Sequence, residues 1–282
     1  AFLSSTPPFQ NAMAMDANRC GIPVVYGFCR GVGSVSYAAA VLLLGFVLER
    51  HAPTLLLPVF AALTACGLLA MSGFRLPERP DEAADRPAEH RSIAAVLRSH
   101  PRFALTLLGC MFFFLTHTIS NTYMNALVGK AGGTASAVGT SLAISAVLEL
   151  PAMTLVSRLQ KRFSPGFFLR FAAGAEVVKF LIFYLARSMP LIYLGHCMQF
   201  FQFAVYAPAT VYYVAAALPE RDQLKGQSLI YVAGSGLGGA LGNLLGGRLL
   251  DRSGIQAALL LGTVSAAASL LTFCLSTREN SR

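Results

Sequence analysis

Charge is scarce in this sequence, and tryptophan is missing altogether. Charged residues make up 12% of the 282-residue chain and apolar residues 55%. The charged share is about half that of a soluble domain. Such a chain cannot cover its own surface in water. Disorder is excluded too, since it needs low hydrophobicity and dense charge. Cysteine is sparse. Cys20, Cys29, Cys66, Cys110, Cys197 and Cys274 stand singly, mostly inside apolar segments, with no CxxC pair. That excludes a disulfide-stapled secreted domain and supports neither a zinc nor a redox motif. The thiols read as small apolar core residues. HExxH, GxSxG and paired metal-ligand spacings are absent, so no enzyme, metal site or cofactor is expected. Without Trp, an aromatic belt at a membrane surface must come from Tyr and Phe.

What the sequence does have is long apolar runs. Eight are long enough to cross a bilayer as helices, at about 26–48, 53–73, 103–128, 136–157, 167–186, 190–217, 228–249 and 255–275. The runs are continuous, not alternating, which favours helices over barrel strands. The expected fold is an all-α polytopic membrane bundle. Residues 1–15 read as the end of a ninth span. No signal-peptide pattern is visible, and with no initial Met the chain is expected to be part of a longer protein.

The net charge of +9 lies mostly between the runs, which is a topology signal and not a nucleic-acid stripe. Fourteen Lys and Arg fall in one set of alternate loops and five in the other; Arg30, Arg170 and Lys179 lie within spans. The richer set, which includes the C-terminus and segment 74–101, is expected in the cytoplasm. Segment 74–101 is polar, charged and Pro-containing, and reads as a linker between domains at 1–73 and 102–282. Two spans before it and six after suggest a 6+6 design lacking roughly its first three helices.

A charge within the hydrocarbon costs at least about 2.5–3.5 kcal/mol, so polar residues in the spans are the functional candidates. Arg30, in YGFCRGVGSVSYA, either reaches back to the cytoplasmic face or points inward, as neighbouring Gly31, Gly33 and Ser34 suggest. His117, Asn121 and Asn125 follow at i, i+4 and i+8, one polar face for a cavity or for neighbouring helices. Ser141, Ser145 and Glu149 repeat the spacing. Pro151 then frees a carbonyl near residue 147 and is expected to bend the helix. The Glu149 carboxyl, balanced between desolvation and any nearby cation, can exchange a proton with whichever side is open. Glu176 and Lys179, three apart, can pair on one helix face; alternatively Lys179 reaches Glu149 across the cavity. Arg170, close to a span end, is expected to snorkel. His196 and Gln199 lie one turn apart, and a membrane-embedded His can relay protons or donate a hydrogen bond. Gly234, Gly238, Gly242 and Gly246 form an unbroken GxxxG series for close helix packing. Its GSGLGG stretch lacks the Lys of a phosphate loop.

These residues resemble the major facilitator superfamily, in its lactose-permease-like and nucleoside-symporter-like branch, over nearly the whole chain. YGFCRGVGS (26–34) is similar to that branch's fifth-helix signature, which places Arg30 on a sugar-holding Arg. LELP (148–151) is similar to an eighth-helix Glu-x-Pro pattern and places Glu149 near a carboxylate of binding and coupling. Lys179 falls where the branch usually has an Arg, and His196 on a His of its coupling network. The run from GQSL to GNLLGGRLLDRSG (226–254) is similar to the usual eleventh-helix ending. Gln199 departs from the pattern by replacing the proton-carrying Glu. The seventh-helix acids also have no counterpart, and His117, Asn121 and Asn125 occupy that region. The resemblance implies alternating-access transport of a small polar solute (a sugar, oligosaccharide or nucleoside) in the bacterial inner membrane. It implies lipid, solute and protons as partners, and no nucleic acid. A truncated scaffold or sensor and a drug exporter of the same fold are the rival readings.

Overall fold

The computed structural model describes residues 17, 22, 26–48, 50, 52–73, 92–160 and 162–277. Residues 1–15 and most of segment 74–101 lie outside these. Among the described residues all regular structure is helical. Helices α1 (Tyr26–Leu48) and α2 (Leu56–Ser72) precede the linker, and a short helix α3 (Ile93–Ser99) forms its end. Then come α4 (Pro101–Thr122), α5 (Met124–Lys130), α6 (Ala135–Leu159), α7 (Pro165–Leu185) and α8 (Met189–Cys197). The chain closes with α9 (Phe203–Ala217), α10 (Glu220–Tyr231), α11 (Gly239–Ser253) and α12 (Ile255–Ser276).

The starts follow local chemistry. Ser92 caps α3 by accepting from the amide of Ala95, and Ser164 caps α7 by accepting from that of Phe167. Pro101 and Pro165 occupy first-turn positions, where a missing N–H costs nothing.

Among the described residues six helical stretches are long and apolar enough to cross a membrane: Gly31–Leu48, Pro101–Thr122, Ala135–Leu159, Met189–Ala217, Arg221–Ser253 and Ile255–Ser276. The two other expected spans are not among them. Helix α2 has only 17 residues, and the 21-residue α7 carries Arg170, Glu176 and Lys179.

Three expected spans are interrupted. The run 103–128 breaks at Tyr123, whose hydroxyl donates to the Asn243 carbonyl at 2.5 Å while Thr122 donates to the Asn243 side chain at 2.9 Å. The run 190–217 passes through a 3₁₀ turn at Met198–Phe200 before α9 begins. The run 228–249 contains a π-helical stretch, Val232–Gly238, within the glycine series. The α6 helix, by contrast, runs unbroken through Pro151.

Packing divides the bundle into layers. One apolar cluster joins Phe103, Cys110 and Phe113 of α4 to Leu169 and Ala172 of α7, Tyr206 and Val214 of α9 and Phe273 of α12. A second joins Ile119, Met124, Phe180, Phe183, Ile192 and Leu259. Along α7 the first cluster ends at Ala173 and the second begins at Phe180; Glu176 and Lys179 lie between. The chain from α8 to α9 shows the same register, with His196, Gln199 and Gln202 between Ile192 and Val205. A polar layer is thus held between two apolar ones.

Small residues and hydroxyls join the helices, as expected where lipid offers no hydrophobic drive for association. Ser265 and Ser269 of α12 donate to the carbonyls of Phe112 and Gly109 on α4, at 3.0 and 2.9 Å. Gly139 of α6 lies so close to α1 that an added Cβ would sit 2.8 Å from the Val41 carbonyl oxygen. Arg170, expected to reach toward a membrane face, extends to the end of a neighbouring helix. Its guanidinium donates to the carbonyl and hydroxyl of Thr277, at 2.9 and 3.0 Å, and so caps the C-terminal end of α12.

Candidate functional site

The polar layer opens on a cavity of about 370 Å³. Helix α1 contributes Ser34 and Tyr37, α4 His117 and Asn121, α6 Ser145 and Glu149, the 3₁₀ turn Gln199, and α9 Phe203. A larger cleft of about 600 Å³, reached past Leu150, Pro151 and Phe200, is lined mainly by apolar side chains. The chemistry therefore lies in the smaller one.

Glu149 anchors the cavity wall. One carboxylate oxygen accepts from the Ser34 hydroxyl of α1. The other accepts from Gln199 Nε2 at 3.0 Å. Gln199 Oε1 accepts in turn from Lys179 Nζ at 2.9 Å. A continuous chain thus runs Ser34–Glu149–Gln199–Lys179 across four segments. The break after α8 makes it possible, because the 3₁₀ turn rotates Gln199 away from the face that a straight helix would give it. Lys179 is 1% exposed, and its ammonium also lies 5.8 Å from the Phe183 ring centroid. No ion pair within 4.0 Å joins Lys179 to Glu176 or Glu149. The expected helix-face pair with Glu176 is therefore not formed, and Lys179 meets Glu149 through an amide.

His196 stands beside this chain. Its Nδ1 is 2.6 Å from the Ser145 hydroxyl, and its Nε2 is 3.4 Å from Met124 Sδ. His117 stacks on Phe203, with centroids 4.5 Å apart and planes at 9°. The Asn121 amide nitrogen donates to the His117 carbonyl at 2.9 Å and also faces His117 Nε2 at 3.1 Å. His117 Nδ1 is buried without a hydrogen-bond partner.

Of the residues singled out in the sequence, His117, Asn121, Ser145, Glu149 and Gln199 line the cavity, and Lys179 and His196 contact its wall. Glu176 is buried and is not among the residues that line the cavity. Asn125 is exposed on α5, because the break at Tyr123 ends the helical phase that it was expected to share with His117. Arg30 belongs to α1, but its side chain lies outside the described residues. The glycine series faces α4: a Cβ on Gly238 or Gly242 would strike the Met111 or Leu115 carbonyl, and one on Gly234 or Gly246 the ring of Phe114 or Tyr123. Sequence reasoning passed over Ser34, Tyr37 and Phe203 as wall residues. Ser34 lies four residues after Arg30, a spacing that would have marked it. Phe203 had no such signal.

A buried polar cavity between membrane-crossing helices, with charged side chains at mid-depth, is the architecture of a transport-type helix bundle. Residues 4–261 match the MFS_1 like family, and the chain belongs to that family of transporters. It is 29% identical over 252 residues to the maltose permease of Geobacillus stearothermophilus, covering 89% of this chain and 62% of the permease. It is 23% identical over 258 residues to the uncharacterized transporter YwbF of Bacillus subtilis (strain 168), covering 91% of this chain and 64% of YwbF. The fold is similar to that of the E. coli fucose:proton symporter FucP, with a TM-score of 0.58, 18% identity, and coverage of 83% of this chain and 60% of that one. The chain spans less than two thirds of the length of these relatives.

Proposed function

We propose that the chain belongs to a secondary active transporter of a small polar solute, with a sugar as the first candidate, coupled to protons and working by alternating access. The observation that carries this reading is the Ser34–Glu149–Gln199–Lys179 chain on the wall of a polar cavity. A carboxylate, an amide, hydroxyls, an imidazole and an aromatic face are what a polyhydroxylated solute needs: donors, acceptors and an apolar plane. The relatives named as maltose permease and fucose:proton symporter support sugar and proton as the pair. In this reading His117, Asn121, Glu149 and Arg30 contact solute, and Glu149, Lys179, His196 and Gln199 handle charge.

The finer organisation belongs to the same proposal. It has eight full spans and the end of a ninth, with domains at 1–73 and 102–282 joined by a cytoplasmic linker at 74–101. The membrane is the bacterial inner membrane, with the C-terminus in the cytoplasm, as the fourteen-to-five loop bias suggests.

The test is uptake of radiolabelled maltose and fucose by vesicles under an imposed pH gradient. Glu149→Gln is expected to abolish accumulation while the protein remains in the membrane. Undiminished accumulation by that variant would remove Glu149 from coupling. Preference for lipophilic cations over both sugars would favour drug export.

A further inference from the structure

Behind the cavity wall the polar layer has a second tier. Glu176 is 0% exposed, and neither of its carboxyl oxygens has a hydrogen-bond partner. Gln202 is also 0% exposed, and neither its amide nitrogen nor its amide oxygen has one. The two side chains lie within electrostatic reach of one another without a formed hydrogen bond. Lys179, three residues along the same helix and within electrostatic reach of Glu176, is held by Gln199 instead.

The two groups match in one protonation state only. A carboxylate has acceptors alone and cannot use the Gln202 carbonyl oxygen. A neutral carboxyl has one O–H to give to Gln202 Oε1 and one C=O to accept from Gln202 Nε2. Such a pair would satisfy all four orphan functions. An ionised Glu176 would instead be a buried anion without a bound cation, which costs several kcal/mol.

We propose that Glu176 is a proton-binding site, occupied against Gln202 while Lys179 is held by Gln199, and that Lys179 moves onto Glu176 when the proton leaves to water. The ammonium keeps its three protons throughout. The layer's charge falls by one, and the Lys179–Gln199–Glu149 chain on the cavity wall is broken. Loss of the proton is thereby communicated to Glu149 without contact between the two carboxyls. Other groups around the site do not substitute for it. Helix α12 carries no Asp, Glu, Lys, Arg, His or Tyr. His196 is engaged by Ser145, His117 stacks on Phe203, and the Tyr206 ring stacks on Phe113, its hydroxyl without a hydrogen-bond partner. The site rests on the proton-coupled reading only for its consequence, not for its occupancy.

The experiment is infrared difference spectroscopy of the protein at its native length, in ether-lipid liposomes free of ester carbonyls, with H₂O exchanged for D₂O at neutral pH. A neutral-carboxyl C=O band that shifts in D₂O is expected in the wild type, lost in Glu176→Gln and retained in Glu149→Gln. Should Glu176→Gln not reach the membrane, Glu176→Asp is expected to move the band. A wild type without the band, or a band unchanged by either Glu176 substitution, overturns the proposal. A band lost in Glu176→Gln in a protein that moves neither maltose nor fucose keeps the proton site and removes the sugar-transport reading.

Discussion

Gln199 bridges Lys179 and Glu149, accepting from the ammonium at 2.9 Å through Oε1 and donating to the carboxylate at 3.0 Å through Nε2. An amide can accept from a cation through its oxygen and donate to an anion through its nitrogen at once. The bridge keeps two opposite charges apart yet oriented toward one another. It also explains how the layer tolerates an amide at a position where the resembling branch carries an acid.

Replacing Gln199 by Leu removes both bonds and leaves Lys179 buried without its acceptor. Losing a hydrogen bond to a charged group costs about 1.5–3 kcal/mol. Gln199→Leu is therefore expected to aggregate at clearly lower temperature than wild type. Gln199→Glu, which keeps an acceptor beside Lys179, is expected to lie between the two. With no Trp in the chain and Cys29, Cys66, Cys197 and Cys274 exposed, size-exclusion of heated samples is a better readout than tryptophan fluorescence or thiol dyes. Equal stability of Gln199→Leu and wild type would show that the bridge contributes nothing.

The glycines of the π-helical stretch are not equivalent. A Cβ at Gly238 would strike the Met111 backbone carbonyl, which cannot move without displacing α4. A Cβ at Gly236 meets only the Tyr231 carbonyl oxygen, at an ordinary 3.7 Å. Gly238→Ala is expected to lower stability by about 1–3 kcal/mol, the range for overpacking. Gly236→Ala is expected to be neutral or slightly stabilising, since Ala is the better helix former. Heated-sample recovery of the two variants side by side checks this, and a reversed order would refute the register given for this stretch.

Most of the fold could be read from continuous apolar runs, because a span must satisfy its backbone within itself. The interruptions could not. The break at Tyr123 depends on Asn243, 120 residues away, and the turn at 198–202 and the π stretch depend on how neighbouring helices fit. The site followed the same division. Glu149, Lys179 and His196 stand out because charge and imidazole are rare in apolar runs. Asn125 was misplaced because the i+8 spacing assumes an unbroken helix. Gln202 went unmarked although it lies three residues after Gln199, since the amide at 199 had already accounted for the polar face.

Gly139 and Gly174 test the contact of α1 with α6. A Cβ at Gly139 would sit 2.8 Å from the Val41 carbonyl oxygen, while one at Gly174 on α7 meets nothing within 4 Å. Gly139→Leu is expected to separate α1 from α6 and to abolish recovery of monodisperse protein. Gly174→Ala is expected to be tolerated and to gain up to about 1 kcal/mol. Cysteine cross-linking between α1 and α6 reads the separation directly. Undiminished cross-linking in Gly139→Leu would contradict the close approach.

Ser34 and Glu149 form the polar link between the same two helices. Losing a hydrogen bond to a charged group costs about 1.5–3 kcal/mol. If the hydroxyl acts through that carboxylate, the effects of Ser34→Ala and Glu149→Gln on stability cannot add, because each removes part of the same interaction. A double-mutant cycle is expected to give a coupling energy of about 0.5–3 kcal/mol. Ser34→Thr, which keeps the hydroxyl, is expected to retain most of the stability. Additive single effects, with coupling near zero, would mean that Ser34 supports the cavity wall by packing and not through the carboxylate.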